Sequence, residues 1–163
     1  MRAFLALLIA GISLFACDDT RTFEQVSDFE SRQWIITEKP QFEFTIDDVN
    51  ERYNLYGNIR NSVSYPYSRF FLTYYLQDST GAEIKKELIS AYLFDARTGR
   101  PHGRSGIGDL YDHQLLLLKD YQFQNQGKYR VVFEQFMRMD TLPGILSVGL
   151  RVERAGKPDI IKP

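Results

Sequence analysis

The chain has one cysteine, Cys17, and it closes the run Leu14-Phe15-Ala16-Cys17. A basic residue, Arg2, precedes the apolar stretch that ends there. That stretch has the length of a signal-peptide apolar region and is too short to span a bilayer as a helix. The small Ala16 suits the narrow site of a signal peptidase. The chemistry expected is acylation of the Cys17 thiol after cleavage, with the freed amine open to a further chain. Each buried CH₂ of lipid contributes roughly 0.8 kcal/mol, and two or more chains give stable anchoring. Residues 1–16 therefore read as a lipoprotein signal. The mature protein then begins at Cys17, lipid-anchored in the cell envelope. Without a second cysteine, no disulfide is expected.

A second chemical candidate is Ser105-Gly106-Ile107-Gly108-Asp109-Leu110. Two glycines one residue apart can bring backbone N–H groups to an anion. No Lys-Ser/Thr pair and no helix pattern follows, so the phosphate reading fails its own context. The run reads instead as a tight loop in which Gly106 and Gly108 both take positive φ. His113 has Asp109 and Asp112 nearby but no recognised metal-ligand spacing, so it reads as a solvated loop histidine and no metal is expected. Ser105, His113 and Asp109 could be drawn as a hydrolytic triad, but no nucleophile elbow frames the serine. No enzyme and no cofactor is expected. Asp47-Asp48 falls in a turn, where aspartate bonds its own backbone. Asp18-Asp19 stands beside the lipid site.

Tyr65-Pro66-Tyr67 lies in the segment Asn61 to Ser68 between two strand patterns. Aromatics on such a loop can stack on sugar rings or anchor a partner protein. The competing reading has the rings cover a core edge.

The elements that must position these residues are strands. Phe42, Phe44 and Ile46 alternate with Gln41, Glu43 and Thr45, the pattern of a half-buried strand. Tyr53, Leu55, Gly57 and Ile59 share one face of the next. Arg69 to Gln77 is aromatic and β-branched, as for a strand buried on both faces. Asp78 to Gly81 signals a hairpin into Glu83–Phe94. A long loop is expected from Asp95 to about Asp112, then a short strand from Gln114 to Lys119. The alternation from Tyr129 to Arg138 is another strand. Leu146, Val148, Leu150 and Val152 alternate with polar or small residues, which places all four in the core. No long helix pattern occurs.

These patterns predict an all-β, two-sheet antiparallel β-sandwich of jelly-roll type, with a closed β-barrel as the alternative. The expected organisation is signal peptide 1–16, lipidated cysteine and polar tether 17–25, sandwich domain 26–155 and flexible tail 156–163. A net charge of −1 and no basic cluster argue against nucleic acid.

Several blocks then resemble a known family. Tyr53-Asn54-Leu55-Tyr56-Gly57-Asn58-Ile59-Arg60-Asn61, Tyr65-Pro66-Tyr67-Ser68 and Phe71-Leu72 occur in the order seen in the gliding-motility lipoprotein family GldH. Gly103 to Leu110 with Asp112, and Gln135-Phe136-Met137-Arg138 followed by Leu142 to Glu153, continue that order. Arg69 and Arg104 depart from the pattern. The resemblance implies a non-enzymatic lipoprotein, expected at the outer membrane, that supports gliding and type IX secretion through other envelope proteins. It carries no catalytic residues over. Within that picture Tyr65, Pro66 and Tyr67 are candidate partner-binding residues, Asp109 a loop organiser, and Gly106 and Gly108 the loop formers. A surface module that binds carbohydrate is the alternative function.

Overall fold

The computed structural model describes residues 20–156. The signal 1–16, Cys17, Asp18, Asp19 and residues 157–163 of the expected tail lie outside the described residues. The strands are β1 (Arg21–Asp28), β2 (Gln33–Ile35), β3 (Gln41–Ile46), β4 (Tyr53–Ser62), β5 (Arg69–Gln77) and β6 (Glu83–Tyr92). They continue as β7 (Arg104–Ser105), β8 (Leu110–Tyr121), β9 (Gly127–Gln135), β10 (Thr141–Pro143) and β11 (Ile145–Arg154). One sheet has the order β1-β11-β4-β8-β7, the second β3-β9-β5-β6, and β10 pairs with β2 in a short third ladder. All ladders are antiparallel and none closes into a barrel.

The pairing has a simple origin. β1 pairs β11, β2 pairs β10, β3 pairs β9, β4 pairs β8 and β5 pairs β6. The chain is thus one long antiparallel ribbon, with its tip at the Asp78–Gly81 turn. Rolled up, the ribbon brings β11 against β4 and β9 against β5. That is the jelly-roll sandwich. At the tip, the Asp78 carboxylate accepts bonds from Thr80 N, Thr80 Oγ1 and Ala82 N at 2.6–3.0 Å. Those bonds hold its pKa below the usual range, the Thr80 hydroxyl first. Gly81 takes φ +85°, as a tight turn requires.

The core lies between the two long sheets. From β4, Tyr53, Leu55 and Ile59 point inward. Phe42, Phe44 and Ile46 do so from β3, and Phe70, Leu72, Tyr74 and Leu76 from β5. Phe23 of β1 meets Phe44 of β3 across the gap at 6.1 Å, and Phe123, in the connection from β8 to β9, packs against Tyr53 at 5.7 Å and Phe44 at 5.9 Å. The buried Tyr74 hydroxyl donates across the sandwich to the Leu117 carbonyl at 3.2 Å, so its polar tip stays satisfied.

Four expectations shift. The polar segment expected as a tether already forms β1 from Arg21, because β11 offers it a ladder partner. β5 is buried mainly on one face, with Phe71 and Tyr75 half-buried on the other. The strand expected at Gln114 begins at Leu110. Leu146 is not in the core. A bulge between Ile145 and Ser147 inserts one residue into β11, and Ile145 takes the buried position instead. One extra residue changes the parity of the side chains before it. Val148, Leu150 and Val152, beyond the bulge, are all fully buried.

Candidate functional site

Two loops meet at one end of the sandwich. The first joins β4 to β5 and holds Tyr65-Pro66-Tyr67. The second is the Gly106–Asp109 connection between β7 and β8. Their junction is a main-chain bond from Val63 N–H to the Asp109 carbonyl, 3.0 Å. Asp109 thus meets the first loop through its backbone carbonyl.

Tyr65 is not a surface anchor. It is 4% exposed, its ring stacks on Phe94 at 6.4 Å, and it meets Tyr67 edge-on at 5.8 Å. Its hydroxyl donates to the Arg69 carbonyl at 2.9 Å. Burial pushes its phenol well above the usual tyrosine value. The ring's apolar body is therefore core, and its polar tip closes the turn into β5. Tyr67, two residues on, is 39% exposed and Pro66 is exposed. The Tyr67 hydroxyl reaches the Met139 sulfur at 2.6 Å. Sequence spacing treats the two tyrosines alike, but the loop turns them to opposite environments.

The β7–β8 loop closes through Gly106 N–H donating to the Leu110 carbonyl at 2.8 Å. Gly108 takes φ +74°. Gly106 does not have positive φ, which corrects the expectation for that residue. At the tip, Ile107 is 94% exposed, an apolar side chain that spacing alone did not single out. Its signal is an isolated large aliphatic between two glycines in a polar loop. Val63 is also exposed. A hollow of about 320 Å³ separates the Tyr67 loop from the Asp95–Pro101 turn. The Asp95 carboxylate organises that turn. It accepts Thr98 N at 2.7 Å, Thr98 Oγ1 at 2.8 Å and Arg97 N at 3.0 Å. Thr98 first, then Arg97, holds its pKa below the usual range.

His113 is likewise placed differently from the expectation. It sits within β8 rather than in a loop and is 8% exposed. Gly103 packs onto it so closely that a Cβ there would stand 2.7 Å from His113 Nε2. Burial lowers its pKa against the attraction of the Asp112 carboxylate, which favours the neutral ring. Its Nε2 and the Asn61 Oδ1 are buried without a hydrogen-bond partner. Ser105 Oγ instead donates to the Gly106 carbonyl at 3.4 Å. Ser105, His113 and Asp109 are therefore not assembled into a triad. Among the described residues no group of three or more His, Cys, Asp and Glu side chains is placed to hold a metal ion.

The outer face of the five-stranded sheet forms a second concavity, of about 480 Å³. Ser147 and Gly149 give it a low floor. A Cβ on Gly149 would stand 2.8 Å from the Gln25 carbonyl, so glycine here lets β1 approach. Most of its charges answer one another, Arg104 apart. Arg60 forks onto Asp112 at 2.7 and 3.1 Å, and Arg151 reaches Glu24 at 3.3 Å and also pairs with Glu153. A groove whose charges are mostly paired gives little steering for a charged ligand. The loop end, with apolar side chains at its tip and charges around them, is the stronger candidate for recognition.

A family model described as GldH lipoprotein matches residues 21–152. The chain is 28% identical to the gliding motility lipoprotein GldH of Flavobacterium johnsoniae, covering 91% of this chain and 94% of that protein. It is 30% identical to a gliding motility lipoprotein GldH homolog of Christiangramia forsetii, with the same coverage of 91% and 94%. Among solved structures, the VP2 subviral particle of infectious bursal disease virus is similar at 14% identity and a TM-score of 0.34. That match covers 81% of this chain and 30% of that one.

Proposed function

The chain belongs to the GldH lipoprotein family, and from that membership we propose a non-enzymatic, lipid-anchored envelope protein that supports gliding motility by gripping another envelope protein with its loop end. The observation that carries this reading is the set of exposed apolar side chains on the two joined loops, Val63, Tyr67 and Ile107, with the charges of Asp95, Arg97 and Asp109 on the same loops and the neighbouring turn. Exposed apolar side chains inside a polar rim are the anatomy of a protein-contact surface. The sandwich holds both loops rigidly, so little order is lost when they bind.

In this reading Cys17 carries the lipid and the outer membrane is the anchoring surface. The partner belongs to the gliding and type IX secretion machinery. Tyr67 and Ile107 are the anchors. Pro66 stiffens the loop, Tyr65 supports it from within, and Asp109 with Gly108 sets the neighbouring turn.

The test is a Tyr67→Ala/Ile107→Ser double variant in the native host. It should accumulate and melt like the parent yet fail to spread on agar. A stable variant that spreads and secretes normally would place the contact elsewhere. Cys17→Ser separates the anchor from the contact, since it should abolish lipid incorporation and detergent partitioning without altering the folded domain.

Carbohydrate binding, the second reading, draws on Phe71, Tyr75 and Tyr92 along the outer face of the four-stranded sheet. Their faces are already taken: the Arg69 guanidinium lies 5.2 Å from Phe71 and 5.0 Å from Tyr92, and the Lys86 ammonium 4.8 Å from Tyr75. A sugar would have to displace those cations. Co-sedimentation with insoluble polysaccharides should therefore recover no more protein than a control.

A further inference from the structure

β6 is an edge strand ten residues long. Of the strands, it pairs only with β5, and among the described residues no main-chain bond reaches the far side of Glu83–Tyr92. Which residues face that free edge follows from the bonding of β5, because just past Tyr92 the pairing is irregular: Leu93 N–H and Phe94 N–H both donate to the Ser68 carbonyl, at 2.8 and 3.2 Å, and the Leu93 carbonyl accepts His102 N–H. The Phe71 carbonyl accepts Phe136 N–H at 3.0 Å and so points to β9. Phe71 stands opposite Ser90, which leaves the N–H and C=O of Ser90 turned outward. Even-numbered residues, Lys86, Leu88 and Ser90 among them, thus offer their main-chain groups to a new strand.

The side chains on this edge are also unusual. Ile84, Leu88 and Tyr92 are all exposed, at every fourth position along the strand. Long edge strands are normally protected by inward charges or prolines. Here the protection is confined to one half of the strand, a bulge at the Ile84 end, where Leu76 faces Lys85 and Gln77 faces Glu83, and the charges of Lys85, Lys86 and Glu87, whereas Leu88 to Tyr92 carries no charge.

We propose that β6 pairs antiparallel with β6 of a second copy of this chain, with Leu88 on the two-fold axis, joining two four-stranded sheets into one of eight. A two-fold contact must be complementary to itself, and this register is. Leu88 meets Leu88, Ile84 meets Tyr92, Lys86 meets Ser90, Glu87 meets Ile89 and Lys85 meets Ala91. On the even-numbered face the exposed apolar residues face apolar residues, and on neither face does a charge stand directly opposite its like. The nearest like-charge approach is Glu87 diagonally across the axis, where Lys85 pairs with each copy at 3.3 Å. Centring the pair on Lys86 would oppose two ammonium groups, and centring it on Glu87 two carboxylates, both unfavourable. The Leu88 register also exchanges main-chain bonds at Leu88 itself, because that residue's N–H and C=O face outward.

The register is tested by disulfide capture in membranes bearing the full-length lipoprotein. Directly opposed residues in a hydrogen-bonded pair have Cα atoms about 5.5 Å apart, within disulfide reach. Leu88→Cys should convert to a disulfide dimer under mild oxidation. Asn125→Cys, on a distant turn, and the parent should not. Lys86→Cys and Ser90→Cys should each stay monomeric alone but cross-link when co-expressed. Leu88→Lys, which puts two ammonium groups on the axis, should cut chemical cross-linking of the otherwise native chain at least tenfold. Leu88→Cys that oxidises no faster than Asn125→Cys would overturn the proposal. So would Lys86→Cys dimerising alone, or capture of Leu88→Cys by a different protein. Leu88 and Ser90 are exposed, so an unchanged far-UV spectrum confirms that each variant is folded when it is read.

Discussion

Gly144 lies so close under the Tyr65 backbone that a Cβ there would stand 2.5 Å from the Tyr65 nitrogen. Gly144 also has φ +79°, and its carbonyl accepts Ser62 N–H at 2.9 Å. The turn between β10 and β11 is thereby clamped to the loop that carries Tyr67. Gly144→Ala combines left-handed strain, about 1–3 kcal/mol, with a backbone overlap that cannot rotate away. It should be the most destabilising glycine substitution of a series. Gly108→Ala has the strain but open space around it and should cost about 1 kcal/mol. Gly106→Ala should stay within about 0.5 kcal/mol. Urea denaturation of the three variants checks the order.

The two tyrosines of the candidate loop should separate cleanly. Tyr65→Ala removes a buried ring and should cost about 3–5 kcal/mol. Tyr65→Phe leaves the Arg69 carbonyl without its donor and should cost about 1 kcal/mol. Tyr67→Ala should cost clearly less than Tyr65→Ala, because its ring is partly in water. Thermal melts of the three decide this. Equal losses from Tyr65→Ala and Tyr67→Ala would contradict the placement.

The bulge in β11 makes a prediction that simple alternation would not. Leu150→Ala should cost about 2–5 kcal/mol. Leu146→Ala should cost less, because Ile145 fills the buried position at that end. Arg151→Ala should also cost less than Leu150→Ala, about 1 kcal/mol, since its side chain ties Glu24 on β1 to Glu153 on its own strand. Chemical denaturation midpoints rank the set.

His113 gives stability a dependence on mildly acidic pH. Its folded pKa lies below the unfolded value because burial disfavours the charged ring, and His102 adds repulsion. In that window the unfolded chain binds the extra proton, so stability is full above the ordinary histidine pKa, about 6.5, and falls as pH drops below it. The depressed carboxylates Glu43, Asp78, Asp95 and Glu134 act in the same direction, but only below the ordinary carboxylate range. Melting temperatures between pH 7.5 and 5 should therefore decline in the parent and decline less in His113→Gln.

Much of this protein is legible in the order of its residues. Period-two alternation over Phe42–Ile46, Tyr53–Ile59 and Val148–Val152 is enough for an all-β sandwich, because a strand with one apolar face must bury it against another sheet. The family is legible in the blocks around Tyr53–Asn61, Tyr65–Ser68 and Gly103–Asp112, since those residue types recur in fixed order. The acylation proposed at Cys17 would depend on the local run Leu14-Phe15-Ala16-Cys17 alone.

What the tertiary structure decided is whatever depends on a neighbour distant in the chain. Arg21–Asp28 has no apolar period, yet it is a strand because β11, more than a hundred residues later, supplies its hydrogen bonds. Leu146 alternates correctly with Val148 but is only half-buried, because it is the residue inserted in the ladder and Ile145 takes the core position. His113 reads as a loop residue until β4 extends the ladder and Gly103 closes over the ring. Tyr65 and Tyr67 are equivalent in spacing, and only the approach of Gly144 and Phe94 sends one into the core and leaves the other in water. Local pattern determines which residues can share a face. The rolled ribbon determines what that face meets, because each partner is delivered by a part of the chain that no sequence window contains.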